Sequence, residues 1–262
     1  MAEEATGGET PTVKSIFVYP VKSCRGISVS EASLSSTVMR APGMNVLKIP
    51  LVEPRAVANG VSIWDWHGSA LDEGEEVATW FSDYLEKPSR LVRFNEASET
   101  RPVPLAHAVG HNIRFNDVYP FHLVSQKSLD ALNDQLQEPI PVDRFRPNFL
   151  IDGCEPFSED LWDEIEINGL TFREGELCYR CKVPTINQET AEVGSEPKAT
   201  LRKFRNDKTL FPNKEKPQGR VYMGTLLVST NYTPDKNGNK SIRVGDPIHV
   251  LKTFSSYADC RN

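Results

Sequence analysis

The sequence predicts a mainly β protein with a few covering helices, an α+β arrangement. Three observations carry this. Short β-branched and aromatic runs outnumber amphipathic helical stripes, turn signals recur roughly every 8–12 residues through the second half, and no internal repeat organises the chain.

In chain order, the acidic, small-residue segment 1–11 reads as a disordered leader. Val13 to Tyr19 is a β-branched and aromatic run stopped at Pro20, and a short strand follows in GISVSEASL. Pro42-Gly43 marks a turn before an alternating strand from Val46 to Leu51, and GVSIWDWHG reads as one further strand. Asp72 and Glu75 have capping-box spacing ahead of Val77, Trp80, Phe81, Tyr84 and Leu85, which fall on one helical face. RLVRF is a strand, and 95–118 a long loop. Ser125 is an N-cap for a helix burying Leu129, Leu132 and Leu136. RFRPNFLIDG is a loop entering a strand, and WDEIEINGLTFRE is a hairpin turning at Asn168-Gly169. LCYRCKVPT is a strand end and loop, and Pro197 opens a short helix around Leu201 and Phe204. RVYMGTLLVSTN and KSIRVGDPIHVL, joined through Asn237-Gly238, form a final strand pair.

Composition narrows the functional classes. The 262 residues are 39% hydrophobic and 25% charged, ordinary for one large or two smaller soluble domains. A net charge of -6 argues against a general nucleic-acid binder but leaves room for a local basic cleft. Five cysteines in no regular framework indicate free thiols in a reducing compartment. No apolar run is long enough to span a bilayer, and neither a secretory signal nor a transit peptide is legible.

The segment GELCYRCKVPT holds Cys178 and Cys181 at C-x-x-C spacing, which leaves several chemistries open. A zinc site would need a second pair. His107 and His111 supply the right types, but they precede the cysteines in a Gly- and Pro-rich stretch. A thioredoxin-like couple needs a helix starting at the motif, and here Pro184 and a polar run follow. A single Cys181 thiolate flanked by Arg180 and Lys182 suits a metal that needs one protein sulfur; a small buried core residue is the plainer alternative. Lys22, Ser23 and Arg25 at a strand end, and Arg144 and Arg146 in DRFRPN, are either anion contacts or solvated surface charge. No Walker loop, dinucleotide fingerprint or nucleophile elbow is present, and the acidic SEDLWDEIEING reads as the exposed face of a strand.

Taken in order, YPVKSCRGISV, RFRPNFLIDGCEPFSEDLWDEIEING, CYRCKVPTINQETAE, EPKATLRKFR and IRVGDPIHVL resemble the MOSC-domain proteins, most closely the amidoxime-reducing branch and its plant members. The resemblance covers about Thr12 to Leu251. It implies a MOSC-type β-barrel over 104–253, a shortened N-terminal MOSC-like region over 12–95, and a tail over 254–262. It further implies a molybdenum cofactor with Cys181 as the molybdenum ligand and catalytic residue. Lys22, Ser23, Ser125, Arg146, Tyr179, Arg180 and Leu226 would be its contacts. The implied activity is reduction of amidoximes, hydroxylamines and hydroxamic acids with electrons from an NADH-dependent flavoprotein and a b-type cytochrome. The implied setting is mitochondrial-associated or cytoplasmic, without the membrane anchor of animal members. A cofactor- or sulfur-carrier module without turnover, or an inactive shortened form, is the alternative.

One departure stands out. The resemblance places roughly fifty residues after ISVSEASLSST, including a further arginine contact, whereas here SSTV leads directly into MRAPGMNVLKIPL. The stretch is absent near Val38-Met39, and exposed strand edges and weak cofactor retention are expected.

Overall fold

A computed structural model describes residues 10–31, 36–50, 56–103, 112–230 and 241–260. The described residues form two compact units. The larger joins the chain up to residue 31 with everything from Tyr119 onward; the smaller lies between. The expected segment 12–95 is therefore shared by both units. The histidine pair 107 and 111 and the Asn237-Gly238 turn lie outside the described residues.

The larger unit is a curled eight-stranded sheet. Its strands are β1 (Thr12–Val18), β2 (Ile27–Val29), β8 (Phe121–Ser125), β9 (Phe149–Asp152), β10 (Trp162–Ile167), β11 (Leu170–Tyr179), β12 (Tyr222–Ser229) and β13 (Ile248–Thr253), in spatial order β13-β10-β11-β12-β8-β9-β1-β2. All pairs are antiparallel except β8 with β9, whose parallel register sets Leu123 beside Phe149. The segment entering β13 returns to β1: the amide of Val13 donates to Asp246 O at 3.0 Å and that of Ile248 to Pro11 O at 2.8 Å. The β10–β11 hairpin turns where expected, with Asn168 and Gly169 both at positive φ (48° and 71°), as a two-residue hairpin loop requires.

β12 and β13 do not pair with each other. β12 lies between β11 and β8, and β13 pairs with β10. The apolar pattern specified two strands but not their neighbours, because several registers satisfy the same alternation.

The core fills the inside of this curl. Val13, Ile16, Leu123, Ile151, Ile165, Ile167 and Phe172 pack together, with Phe121, Phe149 and Phe172 in mutual ring contact at 5.4–5.7 Å between centroids. A second cluster seats α2 (Gln126–Asn133) through Leu129 and Leu132 and α3 (Lys198–Phe204) through Leu201, against Phe145, Val221 and Met223. Leu136 and Phe204 are only partly buried on its margin.

Ser125 does cap α2, its hydroxyl accepting from the Ser128 amide at 3.0 Å. The acidic run, expected on a solvated face, departs from that reading at its start. Glu159 and Asp160 are completely buried. Glu159 Oε1 accepts from the Ser125 amide at 3.0 Å and from Ser128 Oγ at 2.6 Å, while Asp160 pairs with the buried Arg205 guanidinium. The polar groups left over at a buried helix N-terminus and by a buried arginine demanded these partners.

In the smaller unit, β3 (Ser36–Met39) pairs with β4 (Leu47–Pro50), and β5 (Ala56–Ile63), β6 (Trp66–Asp72) and β7 (Val92–Phe94) form a three-stranded sheet. The backbone runs through Val38-Met39 as a regular strand, in register with Lys48 and Leu47. GVSIWDWHG is a hairpin rather than one strand, turning at Trp64, whose φ is +51°. α1 (Glu75–Leu85) buries Val77 and Trp80 against Leu47 and Ile49, but Gly74 precedes it where Asp72 was expected. Asp72 instead closes β6, accepting from the Gly74 amide at 2.7 Å and from both ends of the Arg90 guanidinium.

Two measurements check this account. Leu132→Ala removes a fully buried side chain under α2 and should cost about 2–5 kcal/mol in denaturant unfolding. Burial, with Asp160 alongside, raises Glu159 from 4.5 to about 7. The folded state therefore holds a proton that the unfolded state has released. This contribution is complete below pH 4.5 and disappears as pH rises through about 7. Buried His122 on β8 titrates with the opposite sign over part of this range, so the readout is a difference: the melting temperature of the parent relative to Glu159→Gln, which keeps the Oε1 acceptor but does not titrate, should fall across that window.

Candidate functional site

β11 runs out at Tyr179, and its last residues divide by the two-residue period of a strand. Cys178 is buried, Tyr179 exposed, Arg180 half-buried and Cys181 exposed. The inward pair is locked together. Arg180 Nη1 donates to Cys178 Sγ at 2.7 Å, Nη2 donates to Phe145 O at 2.8 Å, and the guanidinium lies 5.4 Å from the Phe145 ring centroid. The outward pair has different neighbours. Arg220 covers the Tyr179 ring at 4.4 Å, and the Cys181 sulfur accepts from the Val183 amide at 3.4 Å in the short 3₁₀ turn 183–185.

Sequence adjacency set Arg180 beside Cys181; the structure gives its guanidinium to Cys178. The reason is the strand period, which puts side chains i and i+2 on one side. Cys178 is thus the small buried residue, its thiol pushed up by desolvation against the counter-pull of Arg180. The thioredoxin-like geometry is not formed, since only the 3₁₀ turn follows Cys181. Among the described residues, no group of three or more His, Cys, Asp or Glu side chains is placed to hold a metal.

Two further segments meet this strand end. The turn after β1 carries Lys22, Ser23 and Arg25, with Ser23 in the left-handed region at φ +66°. The loop 141–148 carries Arg144 and Arg146, with Arg146 at φ +55°. Arg146 Nη1 donates to Cys24 O, and its guanidinium lies 4.3 Å from the Tyr19 ring centroid. Tyr19 in turn donates to Pro147 O at 3.0 Å. Arg25 reaches Asp143 at 3.2 Å and Glu189 at 2.7 Å, joining the loop to the segment after Cys181. Burial raises the Tyr19 phenol, and both Arg146 and Arg180 oppose that rise, so the two cations share one field.

The structure therefore brings together Lys22, Ser23, Arg146, Tyr179, Arg180 and Cys181. It does not bring Ser125 to them. That residue is fully buried as the α2 cap and lies three positions beyond His122 along β8, about 10 Å further on. Leu226 is half-buried on β12, in register with His122 and Glu176.

Two functional residues escaped the sequence reading. Asn148 fastens the loop: its Oδ1 accepts from the His122 amide at 3.0 Å, and its Nδ2 donates to Phe17 O at 3.3 Å. His122 lies buried beneath Arg180, its Nε2 3.5 Å from Arg180 Nη1 and 3.2 Å from Met223 O. Burial, reinforced by the neighbouring guanidinium, lowers it to about 3, so the ring is neutral. A polar residue inside an apolar run, FHLVS, was the available signal.

The strand end carries one exposed sulfur, and two of the arginines gathered around it keep an unspent donor. Among the described residues, Arg144 Nη1 and Arg180 Nε are buried and have no hydrogen-bond partner. Buried donors of this kind are costly unless an anion satisfies them. Cysteine exposure gives a direct check. Cys178 and Cys260 are buried, and Cys24 and Cys154 are half-buried with thiols pushed up, Cys154 to about 11. A folded-state alkylation time course at pH 7 should show one fast equivalent, located by peptide mapping to Cys181 and missing in Cys181→Ser.

Comparison with known proteins identifies the family. The MOSC domain matches residues 110–249 and the MOSC N-terminal beta barrel domain residues 35–88. Mitochondrial amidoxime reducing component 2 of Rattus norvegicus is 27% identical over 290 positions, covering 92% of this chain and 83% of its own. Mitochondrial amidoxime-reducing component 1 of Homo sapiens is 28% identical with the same coverage. Molybdenum cofactor sulfurase of Solanum lycopersicum is 27% identical over 89% of this chain and 35% of its own. Ninety-two per cent of 262 residues is about 241, so about 49 of the 290 positions shared with the rat protein have no residue of this chain opposite them. A mainly β chain with this pattern of matches over nearly its whole length belongs to the MOSC domain family.

Proposed function

We propose that the chain binds a molybdenum cofactor at Cys181 and reduces N-hydroxylated compounds. The observation that carries this reading is an exposed Cys181 sulfur at a strand end where, among the described residues, the buried Arg144 Nη1 and Arg180 Nε donors lack partners. The residues fit the group. One soft thiolate serves a metal already held by a dithiolene, and separate arginines serve an anionic tail. Family membership supports it, as do relatives named for amidoxime reduction.

In this reading Cys181 is the molybdenum ligand and catalytic residue. Arg146 and Lys22 hold the cofactor's anionic end, with Ser23 in the strained turn beside them. Tyr179 and Arg180 flank the ligand on opposite faces of the strand end. Leu226 lines the apolar side, and Ser125 contributes through the cap that fixes β8 to α2. When bound, the cofactor supplies two-electron redox chemistry. The overall reaction consumes two electrons and two protons, breaks the N–O bond, and yields the N–H compound and water. The electrons come from an NADH-dependent flavoprotein through a b-type cytochrome. Among the described residues, no helix is long and apolar enough to cross a membrane.

A second reading, a cofactor- or sulfur-carrying module without turnover, is favoured by the match to the sulfurase, of which this chain spans 35%.

Elemental analysis of the chain made in cells that synthesise the cofactor should show bound molybdenum, with about tenfold less or lower in Cys181→Ser. Benzamidoxime turnover with the reconstituted electron carriers decides between the readings. Molybdenum with turnover supports the reductase, molybdenum without turnover the carrier, and the absence of molybdenum overturns both.

A further inference from the structure

Among the described residues, His122 is the one histidine on the site's inner side, and the reading above gives it no task. It is 6% exposed, on β8, opposite Leu226. Its Nε2 faces two groups of opposite demand: the Arg180 Nη1 donor at 3.5 Å and the Met223 O acceptor at 3.2 Å. The carbonyls of Phe145 and Arg146 also lie within reach of the ring. A neutral imidazole carries one N–H and one bare nitrogen, so it can satisfy Arg180 or Met223 O with Nε2, but not both.

The surroundings select one answer. Met223 lies on β12, which is bonded to β11 and to β8. The next residue, Gly224, has φ +77°, and a Cβ there would stand 2.5 Å from His122 Nε2 and 2.5 Å from Leu123 O. The fold has therefore cleared a side chain to admit the ring at close range. Arg180, by contrast, is a charge held on the inner side by Cys178, Phe145 O and this ring nitrogen. A charged donor gains more from a bare nitrogen than a neutral carbonyl gains from an N–H.

We propose that His122 is a positioning residue: protonated on Nδ1 toward the 145–146 carbonyls and bare at Nε2, it accepts from Arg180 and holds that guanidinium and the Arg146 loop in one fixed arrangement. Arg180 Nε, buried and without a partner among the described residues, is then held in place as a donor. The consequence for cofactor retention rests on the function proposed above; the placement of the proton does not.

The test uses the full chain and three proteins: the parent, His122→Leu and His122→Gln. Nitrogen-15 spectra of histidine-labelled parent, assigned by the signal lost in His122→Gln, should show a protonated Nδ1 and a bare Nε2 at neutral pH. A protonated Nε2 overturns the proposal. Arginine Nε signals should show Arg180 displaced in His122→Leu and restored in His122→Gln, whose amide oxygen supplies an acceptor. Unchanged Arg180 in His122→Leu, or equal displacement in both variants, also overturns it. Where the parent carries molybdenum, His122→Leu should retain about tenfold less after dialysis at an unchanged melting temperature, and His122→Gln should recover most of it. A parent free of molybdenum sinks the function proposed above and leaves the two spectra to decide on His122.

Discussion

The two-residue period at the end of β11 is the constraint on which the site depends. Cys178 and Arg180 fall to the inside, Tyr179 and Cys181 to the outside, and no side-chain choice can reverse this without slipping the strand. The register with β12, Leu177 opposite Thr225 and Tyr179 opposite Tyr222, fixes where that strand stops. Everything distinctive about the two cysteines follows. The inner thiol lies against a guanidinium in the core; the outer one is left to solvent on a short 3₁₀ turn. The C-x-x-C spacing, which elsewhere makes a pair, here separates the two sulfurs by exposure.

A chain with net charge -6 nevertheless concentrates cations at this point. Arg25, Arg144, Arg146 and Arg180 come from three separate segments. The acids nearest them, Asp143 and Glu189, are taken up by Arg25. Arg146 is steadied by the Tyr19 ring and the Cys24 carbonyl. The opposite design appears under α2, where Asp160 and Arg205 neutralise each other in the core and Glu159 serves the helix end. One array holds the fold; the other stands at the strand end of the candidate site.

Much of the fold was legible because the chain states it locally. Asn168-Gly169, the Ser125 cap and the strand before Pro20 each depend on neighbours within a few residues. The pairing of β12 was not legible, since its partners lie about fifty residues away in β11 and a hundred away in β8. Glu159 and Asp160 were misread for the same reason: their partners, Ser125 and Arg205, are distant in sequence and turn an acidic run into a buried one. At the site, the residue types and the family motifs pointed to Cys181, Arg146 and Lys22. The direction of Arg180, the staple made by Asn148 and the burial of His122 required the sheet to be assembled first.

The chain order also explains how a shortened member of this family can keep the site whole. The smaller unit lies between β2 and β8, as an insertion in the larger one. Residues lost from an insertion cannot shift the register of strands on either side of it, and the eight-stranded sheet here is continuous from β13 to β2. Cys181, Arg146, Arg180, Lys22 and His122 all belong to that sheet and its loops. Were the expected stretch absent at Val38-Met39, where β3 pairs in register with β4, the loss would fall on the insertion alone. The metal ligand and the anion-gripping arginines would then be intact, and the cost would be whatever further contact the missing segment supplied. Retention of the cofactor would weaken while its coordination stayed the same.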